Sequence, residues 1–164
     1  MAALSCDTVE QHKAWIPDIE KFNGGAKVEY PIIADAKRDI ATSLGMLDPE
    51  EKDAAGLPAP VRAVFFLHNL KVKALIYYPP AMGRDFGEIL RVIDGLQSAA
   101  KATIAIPVDW RPGSDVMVLP TVSQEDADAN FPGHKKVEVP SGKGYIRMTS
   151  DPGAKGAAAA GGGK

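Results

Sequence analysis

Residues 47–96 constrain this chain more than any other stretch. They read LDPEEKDAAGLPAPVRAVFFLHNLKVKALIYYPPAMGRDFGEILRVIDGL. An acidic loop carrying Asp48, Glu50, Glu51 and Asp53 leads through Pro58 and Pro60 to Arg62. The run Ala63, Val64, Phe65, Phe66 and Leu67 has no polar alternation, as expected of a strand covered on both faces. After a short turn at His68 and Asn69 the pattern alternates from Lys71 to Tyr78 and stops at Pro79 and Pro80. Lysines 71 and 73 suit an exposed sheet edge, where they discourage stray pairing. Asp85 then caps an amphipathic helix, with Glu88 in the capping-box position and Phe86, Ile89, Leu90, Ile93 and Leu96 at helical spacing. The expected unit is a β-hairpin followed by a helix.

Arg62 enters this buried strand as a charge at its mouth, which asks for an anionic partner. An ion pair with the acidic loop is the structural alternative, and such pairs outnumber functional sites.

The remaining chain reads as short elements. Ala2 to Ser5 resembles the end of a buried strand. Asp7, with Glu10, caps a helix whose apolar face is Val9, His12, Trp15, Ile19 and Phe22. Pro17 should kink or split it, and Asn23, Gly24 and Gly25 end it. A strand is expected over residues 28–33, with Pro31 preferring an edge. Asp35 caps a second helix that Gly45 closes. From about residue 100 the pattern shifts to short strands at 104–107, 116–119, 137–140 and 145–148, with a helix capped by Ser123. From Asp151 onward Gly and Ala with two lysines cannot build a core, so a disordered tail is expected over 151–164.

Composition narrows the function. The 164 residues are 45% hydrophobic and 24% charged, as in a soluble domain with a small appendage. A net charge of −2 gives no electrostatic reason for nucleic acid or a membrane surface. No apolar run is long enough to span a bilayer. The start of the chain has no signal-peptide pattern, so an intracellular address is the default. One cysteine excludes an internal disulfide and a multi-thiolate zinc site. His12, His68 and His134 have no metal-ligand spacing. The acidic loop lacks the glycine and closing glutamate of a calcium loop. No P-loop or nucleophile elbow is present, and no cofactor is implied. Cys6 sits at a strand end before a helix, where amides can activate a thiol; an inert, buried cysteine is the commoner case.

With these segments in place the chain resembles the 1-Cys peroxiredoxins, particularly the plant-type ones. The resemblance rests on LSCDTVEQHKAWIPDIEKF, YPIIAD, LGMLDPEEKD, the strand at Arg62, YPPAMGRDFGEILRVIDGLQ, IPVDWRPG, VMVLPTVSQEDA and VPSGKGYIRMT, in family order from residue 3 to about 149. It implies an α/β, thioredoxin-like fold. Residues 1–100 correspond to the C-terminal part of the thioredoxin-like domain, and 101–150 to the family's C-terminal appendage. It implies a thiol peroxidase acting on hydrogen peroxide and organic hydroperoxides with an external thiol reductant. It also implies a cytoplasmic address, with the nucleus open, and a homodimer formed through the 71–78 edge strand and the C-terminal domain.

Arg62 matches the family arginine that steadies the reacting sulfur, and Arg84 falls in a Gly-Arg position supporting the same pocket. The family's Pro-x-x-x-Thr-x-x-Cys segment, which carries the peroxidatic cysteine, is absent, and Cys6 matches a non-catalytic position. The chain is therefore expected to be N-terminally truncated, incomplete as a thioredoxin-like fold and nearly inactive alone. The strand lost with that segment lies between those of Leu4 and Arg62, which predicts open sheet edges and marginal stability, unless those two strands pair directly. Two alternatives are a non-catalytic dimerisation or binding module, and a peroxidase using Cys6. The lipase-like activity of some members is not implied: the turn where its acidic residue falls holds Asn69 and Leu70, and its other residues lie outside the match.

Overall fold

In the computed structural model, residues 1–153 are described; residues 154–164 of the expected tail lie outside the described residues. The chain forms two compact units, Met1–Arg84 and Asp85–Lys164.

In the first unit β1 (Ala3–Ser5) leads to α1 (Val9–Phe22). The cap falls one residue later than the sequence suggests. Thr8 accepts from the Gln11 amide at 3.3 Å, and the Gln11 side chain accepts from the Thr8 amide at 2.8 Å. This is the reciprocal box that a hydroxyl and an amide three residues apart can make. The helix runs through Pro17 without splitting. Of its apolar face only His12 is buried, while Trp15 is 48% and Phe22 91% exposed.

β2 is shorter than expected, Ile32–Ala34, and pairs in parallel with β1. Pro31 has no N–H for a ladder, but its carbonyl accepts from the Ala3 amide at 2.9 Å. The second helix, α2, is only Asp39–Ser43, entered through Arg38 in a left-handed conformation. Asp35 still caps it from a distance: its buried carboxylate accepts from the amides of Ile40 at 3.2 Å and Ala41 at 2.7 Å.

The acidic segment is not a loop. It forms β3 (Leu47–Lys52), an antiparallel and irregular ladder with β4 (Pro58–Pro60). β5 (Arg62–His68) and β6 (Lys71–Tyr78) make the expected hairpin. Asn69 and Leu70 close it, both at positive φ, as a two-residue hairpin turn requires. β5 is not covered on both faces. Phe66 is buried, but Leu67 is 63% exposed. β1 and β5 do not pair with each other; β1–β2 and β5–β6 are separate two-stranded ladders. Arg62 is likewise exposed rather than buried at a strand mouth. The apolar run records a need for cover that neither ladder supplies.

The second unit opens with α3 (Phe86–Ala99). Asp85 accepts from the amides of Gly87 at 2.7 Å and Glu88 at 3.2 Å. Only half of the capping box forms, because the Glu88 carboxylate turns to Arg91 in a bidentate pair. Four short strands, β7 (Ile104–Ala105), β8 (Val116–Val118), β9 (Lys135–Lys136) and β10 (Arg147–Thr149), form one antiparallel sheet in the order β7-β8-β10-β9. The strand expected at 137–140 is displaced to β9. α4 (Gln124–Asn130) starts at Ser123, which accepts from the Asp126 amide at 3.0 Å. The core gathers Ile104, Trp110, Val116, Val118, Ala127 and Phe131. Gly95 gives α3 a close approach here: a β-carbon on it would sit 3.5 Å from Ile106 and 3.7 Å from Trp110. Asp151 to Gly153, the first residues of the expected tail, turn back so that Ser98 donates to the Asp151 carboxylate.

Candidate functional site

The site residues singled out in the sequence, Arg62 and Arg84, both lie in the first unit. Arg62 is the first residue of β5 and stands opposite Tyr78, the last of β6. Two prolines follow Tyr78. They stop the strand, since neither can donate to a ladder, but their carbonyls remain free to accept. The Met82 amide donates to the Pro79 carbonyl at 2.9 Å, closing a turn over residues 79–82. Arg62 Nε donates to the Pro80 carbonyl at 3.2 Å.

Arg84 follows this turn. It is exposed at the surface; partial desolvation of its guanidinium pulls it below the usual arginine value, and the positive charge of Arg62 adds to the shift. Two guanidinium groups thus stand close enough to repel. Among the described residues neither is in an ion pair. The structural alternative for Arg62, pairing with the acidic segment, does not occur. Asp53, the one acidic residue of that segment in an ion pair, holds Arg38 instead. Like charges brought together without a carboxylate can receive an anion.

Cys6 keeps different company. It is half-buried just beyond β1. Burial raises its thiol above the ordinary value; the nearby Arg38 guanidinium opposes the rise, and Asp35 and Asp7 add to it. A raised thiol carries little thiolate at neutral pH, the opposite of what a nucleophile needs. His68 is exposed in the hairpin, and His134 Nδ1 lies 3.1 Å from the Phe131 carbonyl. His12 is packed, its ring 6.4 Å from that of Trp15. Among the described residues no group of three or more His, Cys, Asp or Glu could hold a metal, and no helix is long and apolar enough to cross a membrane.

Sequence reasoning missed several residues. Arg38 links Asp53 to the surroundings of Cys6, and its left-handed backbone gives no sequence signal. The Pro79–Pro80 pair was legible as a strand stop, but not as an acceptor for Arg62. Tyr77 donates from its hydroxyl to the Leu44 carbonyl at 2.8 Å. In the second unit, buried Arg147 donates to the carbonyls of Leu119, Val122 and Ser123.

The fold is the α/β thioredoxin-like fold of peroxiredoxins, with the C-terminal domain of the 1-Cys group. A family model described as the AhpC/TSA family matches residues 1–74, and one described as the C-terminal domain of 1-Cys peroxiredoxin matches residues 95–134. The chain belongs to the 1-Cys peroxiredoxin family. It is 51% identical to peroxiredoxin-6 of Rattus norvegicus over 157 residues, covering 93% of this chain and 70% of the relative. It is 44% identical to 1-Cys peroxiredoxin A of Oryza sativa subsp. japonica over 151 residues, covering 91% and 69%. The crystal structure of a mutant of the peroxiredoxin 6 of Arenicola marina superposes with a TM-score of 0.88 at 48% identity, over 92% of this chain and 70% of that one.

Proposed function

We propose that the chain is the larger part of a thiol peroxidase of plant-type 1-Cys character, with Arg62 as its charge-stabilising residue and Arg84 supporting it. A peroxidatic thiolate contributed from outside residues 1–164 attacks one peroxide oxygen. The S–O bond forms as the O–O bond breaks. The sulfur is oxidised to a sulfenic acid, and the other oxygen leaves as alcohol or water after taking up a proton. An external thiol then reduces the sulfenic acid. A guanidinium beside the sulfur favours thiolate over thiol and offsets charge growing on the leaving oxygen.

The observation that carries this reading is geometric: Arg62, held by the Pro80 carbonyl, and Arg84, four residues beyond that carbonyl, are in no ion pair among the described residues. The raised thiol of Cys6 supports leaving it out of the mechanism. The separate β1–β2 and β5–β6 ladders support a further strand between them in the complete protein, and so an incomplete fold here. The domain assignment, 1–100 and 101–150, describes family organisation and is separate from the compactness boundary at residue 84. A cytoplasmic address and a homodimer through β6 and the C-terminal domain belong to the same proposal.

The test is peroxide consumption with excess dithiothreitol. The chain alone should turn over hydrogen peroxide no faster than buffer containing the reductant. Rapid turnover abolished by Cys6→Ser would overturn the assignment.

A further inference from the structure

The turn over residues 79–82 fixes where the Arg62 guanidinium can point. Arg62 has five N–H donors, and the Nε donor points out from the side of the planar group, whereas the two terminal nitrogens carry the other four. Here Nε is taken by the Pro80 carbonyl at 3.2 Å. Committing Nε anchors the plane of the guanidinium and leaves the two terminal nitrogens as a fork for an oxyanion.

The acceptor itself can be switched. Pro80 is the second residue of the turn closed by the Met82 amide on the Pro79 carbonyl, so the Pro80 carbonyl belongs to its central peptide. In a type I turn that peptide faces one way; in a type II turn it is flipped by about 180°. The flip requires positive φ at the third residue, Ala81, which favours glycine. Ala81 is not among the residues at positive φ. Its β-carbon therefore holds the central peptide in the orientation that presents the carbonyl to Arg62. Proline at position 80 suits the second place of either turn type, so it leaves the choice to Ala81.

We propose that Pro80 and Ala81 are positioning residues for the arginine site: the carbonyl of the first aims Arg62, and the side chain of the second keeps that carbonyl from turning away. This rests on the reading of Arg62 as the group that faces an anion. It adds the device that orients Arg62, located 18 residues further along the chain.

The experiment is Ala81→Gly in the full chain, followed by ¹⁵N NMR of the arginine Nε–H groups, with Arg62→Lys to assign the Arg62 signal. In the parent chain the Arg62 Nε–H should show slow solvent exchange and a high heteronuclear NOE. In Ala81→Gly both should fall towards values for a free arginine, with circular dichroism and melting temperature unchanged. Inorganic sulfate, titrated against the Arg62 and Arg84 signals, should bind about fivefold more weakly to the variant, the equivalent of one lost hydrogen bond. An Arg62 Nε–H as mobile in the parent chain as in Ala81→Gly overturns the positioning role. An ordered Arg62 that loosens in the variant, with no sulfate response in either protein, upholds the positioning and removes the anion-facing role on which the proposed function depends. Should Ala81→Gly unfold, Ala81→Ser, which also disfavours positive φ, must retain the ordered signal; its loss there overturns the proposal as well.

Discussion

In Asp85–Lys164 the residues Ile104, Trp110, Val116, Val118, Ala127 and Phe131 touch as one buried cluster, and four strands share one sheet. Met1–Arg84 buries Ala41, Met46 and Phe66, and its strands fall into three separate two-stranded ladders. The difference is not one of hydrophobic content. The first unit has the most apolar strand of the chain, yet Leu67 on it is 63% exposed, and Leu70 at the hairpin tip is fully exposed. An apolar side chain contributes about 1.5–3 kcal/mol only when it is removed from water. A two-stranded ribbon has too few neighbours to do that and is marginal by itself. The second unit is stabilised mainly by packing; the first relies on local turns, caps and a few polar links. The arginine pair is in the less packed unit, so its geometry depends on hydrogen bonds such as that from Arg62 to Pro80.

The largest test of this contrast is truncation of one core residue in each unit, read by amide hydrogen exchange. Trp110 is 3% exposed, and its indole donates to the Ser114 carbonyl at 3.1 Å. Trp110→Ala should cost about 3–5 kcal/mol in the protection of residues 104–149, and leave residues 62–78 as they were. Phe66→Ala should cost less, and only in residues 62–78, because half-solvated neighbours relax into the space. Equal losses in both segments from either variant would mean one cooperative unit and end the comparison.

A smaller effect is expected at Arg147. It is buried, has no carboxylate partner among the described residues, and acts as a polar peg, donating to three carbonyls between Leu119 and Ser123. Arg147→Met keeps much of the volume and leaves those carbonyls unpaired, at about 2–3 kcal/mol. Urea unfolding followed by Trp110 fluorescence in a Trp15→Phe background reads it. An unchanged midpoint would show that water replaces the guanidinium, and that packing alone holds the second unit.

How far the sequence foretold each unit follows the same division. The hairpin, the Asp85 and Ser123 caps and the strands β7, β8 and β10 were legible because each rests on local chemistry: a period, a cap or a turn; the strand expected at 137–140 was not, since β9 is Lys135–Lys136. The Thr8 cap was missed because Asp7, with Glu10, offers the same spacing one residue earlier. β3 was taken for a loop because its run of acids and Pro49 masks a ladder with β4. The exposure of Arg62 was missed for a tertiary reason: an apolar run specifies that a strand should be covered, and carries no information on whether its neighbour is there. Of the site, Arg62 was legible as a charge entering an apolar strand and its role came from the resemblance; Arg84 came from the resemblance alone. Their aiming through Pro80 depends on the orientation of one peptide plane, which no residue pattern announces.

The smallest and most condition-dependent effect belongs to the Asp53–Arg38 link in the first unit. The Asp53 carboxyl is held below its usual range, first by the Leu57 amide and then by the Arg38 guanidinium. Asp53→Asn keeps an oxygen to accept from the Ala55 and Leu57 amides, each at 2.9 Å in the parent, but removes the charge. A carboxylate with a depressed folded pKa stabilises the native state above its unfolded value of about 3.9, and that contribution disappears as pH falls through the folded value. The midpoint of the Met1–Arg84 transition, followed by Trp15 fluorescence in a Trp110→Phe background, should therefore be lower in Asp53→Asn at neutral pH. The gap should stay constant down to about pH 5, begin to narrow near about pH 4 and close only once the pH is below the depressed folded value. Because the pair is partly solvated, 1 M salt should also narrow it. A gap that persists undiminished in acid would assign the role of Asp53 to the shape of the β3–β4 turn rather than to its charge. The first unit would then depend on local backbone geometry even where it carries an ion pair.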